Sequence, residues 1–308
     1  MYHFIVNPNS QSGKGEATWK KLEKILDVKN ISYEVYMTTK PGDARKIATK
    51  IYSNLASEND AIIAMGGDGS MNDIIRDLPL ENKPIVGFIS SGSGNDFAKG
   101  MGLPENPEEA LERIINSKET KTIDIGEVDY GNGNKRRFCV SAGIGYDACI
   151  CYSLDHGHLK KIFNSLHIGK MAYTAIGLKE WLAYKKASGT LNYDGKELRF
   201  NNLSFMSVHN LPYEGGGWPF AKDANATDGE LSICLMEPAS KLTFFRAMLP
   251  CKNNPGNNEK YEGTYIINCK EAHLHVDTPL AVHTDGEAMK NISDVSYRVI
   301  PQALRLLV

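Results

Sequence analysis

The segment Asp60–Asn72, DAIIAMGGDGSMN, decides the fold. Its first half, DAIIAM, is apolar throughout, the pattern of a central strand covered on both faces by helices. The run stops at Gly66-Gly67-Asp68-Gly69, and Met71, Ile74, Ile75 and Leu78 then resume at helical spacing. A strand that passes through glycines into a helix suits a phosphate. The glycines let backbone N–H groups approach anionic oxygens closely, and the helix aims its amino end at the same point. Asp68 is then a carboxylate held among phosphates, able to orient Mg²⁺ or an attacking hydroxyl. The same string also describes a tight strand-to-helix turn with Asp68 as a cap.

Outward from this segment the pattern repeats. HFIVN (3–7) reads as a strand, and EATWKKLEKILDVKN (16–30) places Trp19, Leu22 and Leu26 on one helical face. ISYEVYM (31–37) is extended, and DARKIATKIYSNL (43–55) sets Ala44, Ile47, Ala48, Ile51 and Leu55 at amphipathic helical spacing. PIVGFI (84–89) is a further strand ending at Ser90-Ser91-Gly92-Ser93-Gly94-Asn95. The alternation predicts an α/β, doubly wound parallel sheet whose carboxyl-end loops form the ligand crevice, with two glycine-rich loops side by side. From about Thr122 short alternating runs (TIDIGEV, RRFCVSA, KELRFNNLSFMSV, GELSICLM, TYIINC, AHLHV) predict an antiparallel β-rich domain. The expected division is 1–123, joined by the strand-like tail at about 294–308, and 124–293.

A chain of 308 residues favours two domains, each able to bury its own interior. Its six cysteines contain no C-x-x-C pair, which argues against both a disulfide framework and a zinc ribbon. A net charge of −2 gives no global attraction to nucleic acid or anionic lipid. No run approaches the roughly 18–20 apolar residues of a membrane span. The expectation is a cytoplasmic protein with no nucleic-acid partner.

Other nucleotide templates fail. Around Ser12-Gly13-Lys14-Gly15, Pro8 stands where a P-loop needs its first glycine, and Gly15 replaces the Ser or Thr. Gly92-Ser93-Gly94 lacks the third glycine of a dinucleotide fingerprint. What does fit is an ordered series: N-P-N-S-x-S-G-K (Asn7–Lys14), T-T-x-x-G-D-A (Thr38–Ala44), G-G-D-G-S-x-N (Gly66–Asn72) and G-S-G-N-D-F-A (Gly92–Ala98). It resembles the motifs of the bacterial diacylglycerol kinase catalytic-domain family. The likeness continues through A-G-I-G-Y-D-A (Ala142–Ala148), N-x-P-Y-x-G-G-G (Asn210–Gly217), A-x-D-A-x-x-x-D-G-x-L (Ala221–Leu231), D-G-E (Asp285–Glu287) and P-x-A-L (Pro301–Leu304). Three departures are mild: Ser70 and Ser93 stand where the family commonly has Thr, and Ser90 where it has Pro.

The resemblance implies an α/β domain of the NAD kinase and diacylglycerol kinase type plus an antiparallel β-sandwich, with ATP in the cleft between them. ATP contacts would fall on Asn7, Ser10, Thr38, Thr39, Gly66, Gly67, Asp68, Gly69, Ser70, Asn72, Ser93 and Asn95. It implies that Asp124 joins Asp68 around a catalytic Mg²⁺, and that Asn225, Asp228 and Glu230 hold a structural Mg²⁺. The general base falls on Asp285 or Glu287, which Asp-Gly-Glu would set on one face of an extended segment. The acceptor would be a lipid hydroxyl, diacylglycerol or a relative, met by transient association with a membrane surface, and a homodimer is allowed.

The pairs His156/His158 and His273/His275 have same-face spacing but no third ligand patterned around them, so packed or solvated rings are expected. The helical tract Leu159–Ala187, with lysines among aromatics, suits either a bilayer surface or the β-domain, and TFFRAML (243–249) is a second region for lipid access. Two competing functions remain: a soluble-substrate kinase of the NAD kinase type, and an idle lipid-binding regulator.

Overall fold

The structure is a computed structural model that describes residues 1–131, 133–156, 177, 179–181, 184 and 186–308. The tract Leu159–Ala187 falls almost wholly outside the described residues, as does the pair His156/His158, whose side chains are not described.

The amino-terminal half alternates as expected: β1 (Tyr2–Val6), α1 (Ser10–Gly13), α2 (Gly15–Val28), β2 (Tyr33–Met37), α3 (Asp43–Tyr52), β3 (Ala61–Gly66), α4 (Asp68–Ile75), β4 (Ile85–Ser90), α5 (Asp96–Met101) and α6 (Pro107–Asn116). The four strands are parallel in the order β4-β3-β1-β2. DAIIAM lacks alternation because both faces of β3 are covered. Ile62 and Ala64 pack with Met71 and Ile74 of α4, while Ile63 and Met65 join Trp19 and Leu22 of α2 and Leu111 of α6. Pro107 and Asn106 begin α6, with the Asn106 Oδ1 accepting from the amides of Glu108 and Glu109 at 2.8 and 3.2 Å. Asn106→Ala should therefore cost about 1 kcal/mol of stability, read as a shifted urea midpoint at constant slope.

The second half contains β5 (Thr120–Asp129), β6 (Lys135–Phe138), β7 (Ser141–Gly145), α7 (Tyr146–His156), β8 (Ala187–Tyr193), β9 (Lys196–Leu203), β10 (Phe205–His209), β11 (Leu231–Met236), β12 (Thr264–Cys269), β13 (Glu271–Thr284) and β14 (Glu287–Leu307). Its pairings are antiparallel and form the β-sandwich. Its core gathers Val128, Phe138, Ile144, Val208, Leu274, Val282 and Tyr297. The two halves share one hydrogen-bonded sheet, because β14 pairs with β13 and β5 and then, through Arg305 and Leu306, runs parallel to β4. Its ladder breaks between Ile300 and Leu304, where Pro301 has no N–H to give and Gln302 takes φ +49°.

TFFRAML is mostly interior. In the helix Lys241–Met248, Phe244 stacks on Trp181 at 4.3 Å between ring centres, and Ala247 is buried beside it; Leu242, and Leu249 just past the helix, are exposed. No helix among the described residues is long and apolar enough to cross a membrane.

Candidate functional site

The loop after β3 and the loop after β4 lie against each other at the carboxyl ends of their strands. A Cβ on Gly92 would sit 2.5 Å from the Cα of Gly67, so the two backbones meet at a distance only glycine allows. Ser91 N–H donates to the Gly66 carbonyl at 2.7 Å, and the hydroxyls of Ser10 and Ser91 are 2.8 Å apart, which draws the loop after β1 into the same edge. Gly92 N–H donates to the Asn95 side chain at 2.9 Å, Asn95 itself standing at φ +56°. Asn7 closes the β1 loop, its carbonyl accepting from Ser10 and its side chain from the Asn9 amide.

Asp68 ties these loops together. Its two oxygens accept from the backbone amides of Asp96 (3.1 Å) and Phe97 (3.0 Å), so it caps the amino end of α5 across the crevice. Gly69 and Ser93 are exposed at the rim, with Ser70 behind them. Thr38 and Thr39 lie at the end of β2, where Thr39 donates both its amide and its hydroxyl to Asp43 at the start of α3.

Asp285 is the first residue of a two-residue hairpin loop between β13 and β14. It has φ +43° and Gly286 φ +85°, with Thr284 paired to Glu287. Asp-Gly with both φ positive is the turn that suits the twist of paired strands. The two acids therefore do not share one face of an extended segment; they diverge. The Asp285 carboxylate turns inward and accepts from the amides of Cys139 (2.9 Å), Val140 (3.0 Å) and Ser141 (3.0 Å) and from Asn72 Nδ2 (2.7 Å). Burial pushes the Asp285 carboxyl above its ordinary value, against the pull of these donors. Glu287 points outward and takes Arg76 and Arg136, each at 3.0 Å.

Asn72 joins the two lobes. It lies four residues after Asp68, one helical turn along the same face of α4, and reaches Asp285 from there. Cys139 registers both acids: burial, then the charges of Asp285 and Asp68, push its thiol well above the usual range.

Asp124 is buried, and its oxygens go to the amides of Gly229 (2.8 Å) and Gln302 (2.7 Å), not to Asp68. It braces the start of the β-domain to β14. The Asn225–Glu230 loop lies on the surface, where Asp228 Oδ1 accepts from the Glu230 amide at 3.0 Å and the Asn225 carbonyl from Thr227 at 2.8 Å. His273 and His275 are half-exposed, bonded to Ser296 and Asp294.

Three features escaped the sequence. Asp96, inside a quoted motif, is buried beside Asp68 and accepts from Gly216 N–H at 2.8 Å. Burial pushes its carboxyl up, and the Asp68 charge adds to this. Arg76, just after α4, and Arg136 of β6 converge on Glu287. Asp147, Glu214 and His283 meet in the interior next to the hairpin. Burial raises Glu214 to about 8; it also opposes the His283 imidazolium, but the adjacent Asp147 carboxylate prevails and lifts that ring to about 8.

The sequence profile of the diacylglycerol kinase catalytic domain matches residues 1–128, and that of the YegS C-terminal NAD kinase beta sandwich-like domain matches residues 140–308. A diacylglycerol kinase of Bacillus subtilis is 28% identical over 289 residues, covering 92% of this chain and 88% of its own length. One from Mycobacterium tuberculosis is 27% identical over 307 residues, covering 97% and 93%. Among solved structures, a diacylglycerol kinase from Bacillus anthracis superposes with a TM-score of 0.73 at 22% identity, over 99% of this chain and 96% of that one, which shows the shared fold. The chain belongs to the diacylglycerol kinase-like family of lipid kinases.

Proposed function

We propose that this chain transfers the γ-phosphoryl group of ATP, with Mg²⁺, to the hydroxyl of diacylglycerol or a related lipid. The observation that carries the reading is the 2.7 Å link from Asn72 to Asp285, which sets a buried carboxylate of the β-domain one helical turn from the Asp68 loop. Phosphoryl transfer needs positioning and charge neutralisation more than covalent chemistry.

In this mechanism the amides of the Gly66–Asn72 loop, the amino end of α4 and the neighbouring Ser93 loop cradle the polyphosphate, with Asn7, Ser10, Thr38 and Thr39 around its edge. Asp285 takes the proton of the attacking hydroxyl, its proton affinity raised by burial. Asn72 is the donor that yields to substrate, because it has a second acceptor in the Arg137 carbonyl at 3.0 Å. Glu287 holds Arg76 and Arg136 at the mouth of the site, where their charge can meet phosphate.

The residues present fit Mg²⁺. The Asp68 and Asp96 carboxylates both approach a Cβ position on Gly94, at 3.2 and 3.6 Å, and Asp96 Oδ1 is buried with no hydrogen-bond partner. These two carboxylates would hold the ion, which supplies neutralising charge to the transferred group. The exposed oxygens of Asn225, Asp228 and Glu230 form an oxygen-only set suited to a second, structural Mg²⁺.

Incubation with Mg-ATP and dispersed diacylglycerol, sphingoid base, phosphatidylglycerol and polyprenol should give one phosphorylated lipid by mass spectrometry. No product from any of them, or phosphorylation of NAD instead, overturns the reading. The exposed Leu242 and Leu249 favour arrival at a lipid surface. Leu242→Ser with Leu249→Ser should lower co-sedimentation with vesicles roughly tenfold, about 1.4 kcal/mol of lost apolar insertion.

A further inference from the structure

One face of the central β-domain strands is polar where a core should be apolar. In register across the sheet, Ser207 and His209 of β10 lie beside Gly143 and Ser141 of β7, and Gly143 lies beside His283 of β13. The opposite face, with Ala142, Val208 and Val282, belongs to the ordinary apolar core. Buried polar groups of this kind are costly unless partnered. Two are not: Glu214 Oε2 and Asp147 Oδ1 are buried without a hydrogen-bond partner, and Glu214 as a whole is only 6% exposed. Among the described residues no lysine or arginine forms an ion pair with either acid; their ion-pair partners are His283 for Asp147 and, at 3.6 Å, His209 for Glu214.

We propose that Asp147, Glu214 and His283 form a buried site for a divalent transition-metal ion of the Zn²⁺ or Mn²⁺ class. One ligand atom from each lies within 4.8 Å of the others, with Asp147 Oδ2 and His283 Nε2 at 2.8 Å. Donors about 2.0–2.2 Å from a shared ion stand roughly 3–4 Å apart, so the set closes by side-chain movements of about an ångström. An imidazole among carboxylates selects a borderline ion over Mg²⁺, which prefers oxygen alone. The space is kept by a glycine, since a Cβ on Gly143 would collide with both Asp147 Oδ2 and His283 Nε2. Support for the ligands is present too. Ser207 bonds His209 at 2.8 Å, and that ring lies 3.6 Å from Glu214 Oε2.

The site lies in the β-domain, close in sequence to two groups at the cleft. His283 stands two residues before Asp285, and Glu214 two residues before Gly216, whose N–H holds Asp96. The Gly286 amide lies 3.4 Å from His283 Nδ1, so an ion that fixes the ring through Nε2 also bears on the turn carrying Asp285.

The test uses chelator-stripped full-length protein equilibrated with Zn²⁺, Mn²⁺ or Mg²⁺, then desalted and analysed for metal. About one equivalent of Zn²⁺ or Mn²⁺ should remain per chain, and none in Glu214→Gln or His283→Gln variants that keep the wild-type circular dichroism. Glu197→Ala, an exposed acid of β9 paired with Arg199, should retain it. If a variant does not fold, the wild type decides: Zn²⁺ should raise its melting temperature at concentrations where Mg²⁺ does not, and should shift the His283 Nε2 resonance. No retained metal, or retention undiminished in both variants, overturns the site. These readouts need no kinase turnover, so the site stands or falls apart from the catalytic reading.

Discussion

Asp285→Asn should lower kcat by roughly 10²–10⁴-fold while leaving KM for ATP nearly unchanged, the range that a positioned general base contributes. The substitution also disturbs the fold locally, because an amide NH₂ would face donors where one carboxylate now satisfies the amides of Cys139, Val140 and Ser141 and the side chain of Asn72. A stability loss of about 1–3 kcal/mol should accompany the kinetic loss. Glu287→Gln is the control that separates the two acids. Its carboxylate is exposed and pairs only at the surface with Arg76 and Arg136, so stability should move by less than about 1 kcal/mol and kcat should survive at a tenth of wild type or better. Abolished turnover in Glu287→Gln beside near-normal kcat in Asp285→Asn reverses the assignment.

Asp68→Ala should cost at least ~10²-fold in kcat, because the loops that would cradle the polyphosphate lose the group that sets their spacing. The same substitution takes the acceptor from the amides of Asp96 and Phe97, and Phe97 is wholly buried. Unsatisfied buried donors cost about 1–3 kcal/mol, so a lowered urea midpoint should accompany the lost activity. Asp68→Asn keeps one acceptor oxygen and should recover part of the stability without the turnover. Full activity in both variants would remove Asp68 from the chemistry.

What could be read in advance was local. The period of Trp19, Leu22 and Leu26 marks α2, and an apolar run ending in glycines marks β3 and its loop, because each signal lies within a few residues of its effect. Distant partners could not be read. RRFCVSA splits into β6 and β7 because the Cys139, Val140 and Ser141 amides turn onto Asp285, some 144 to 146 positions away. Asp124 is bonded to amides 105 and 178 positions off, partners that leave no mark in its own neighbourhood. His283 carries no such signal, because its partner Asp147 is 136 positions distant and leaves no periodic trace. The Asp285-Gly286 turn, by contrast, is legible, since Asp-Gly between two strands is a strong hairpin signal.

The length of β14 bears on how the cleft can move. The strand begins beside the Asp285-Gly286 turn and ends hydrogen-bonded to β4, so the two walls of the cleft are rungs of one ladder, not plates on a linker. Such a frame limits hinge motion between the walls and leaves adjustment to the Gly215–Gly217 loop and the glycine-rich loops at the rim. A cleft held in this way by strand pairing has less freedom to lose when it is filled.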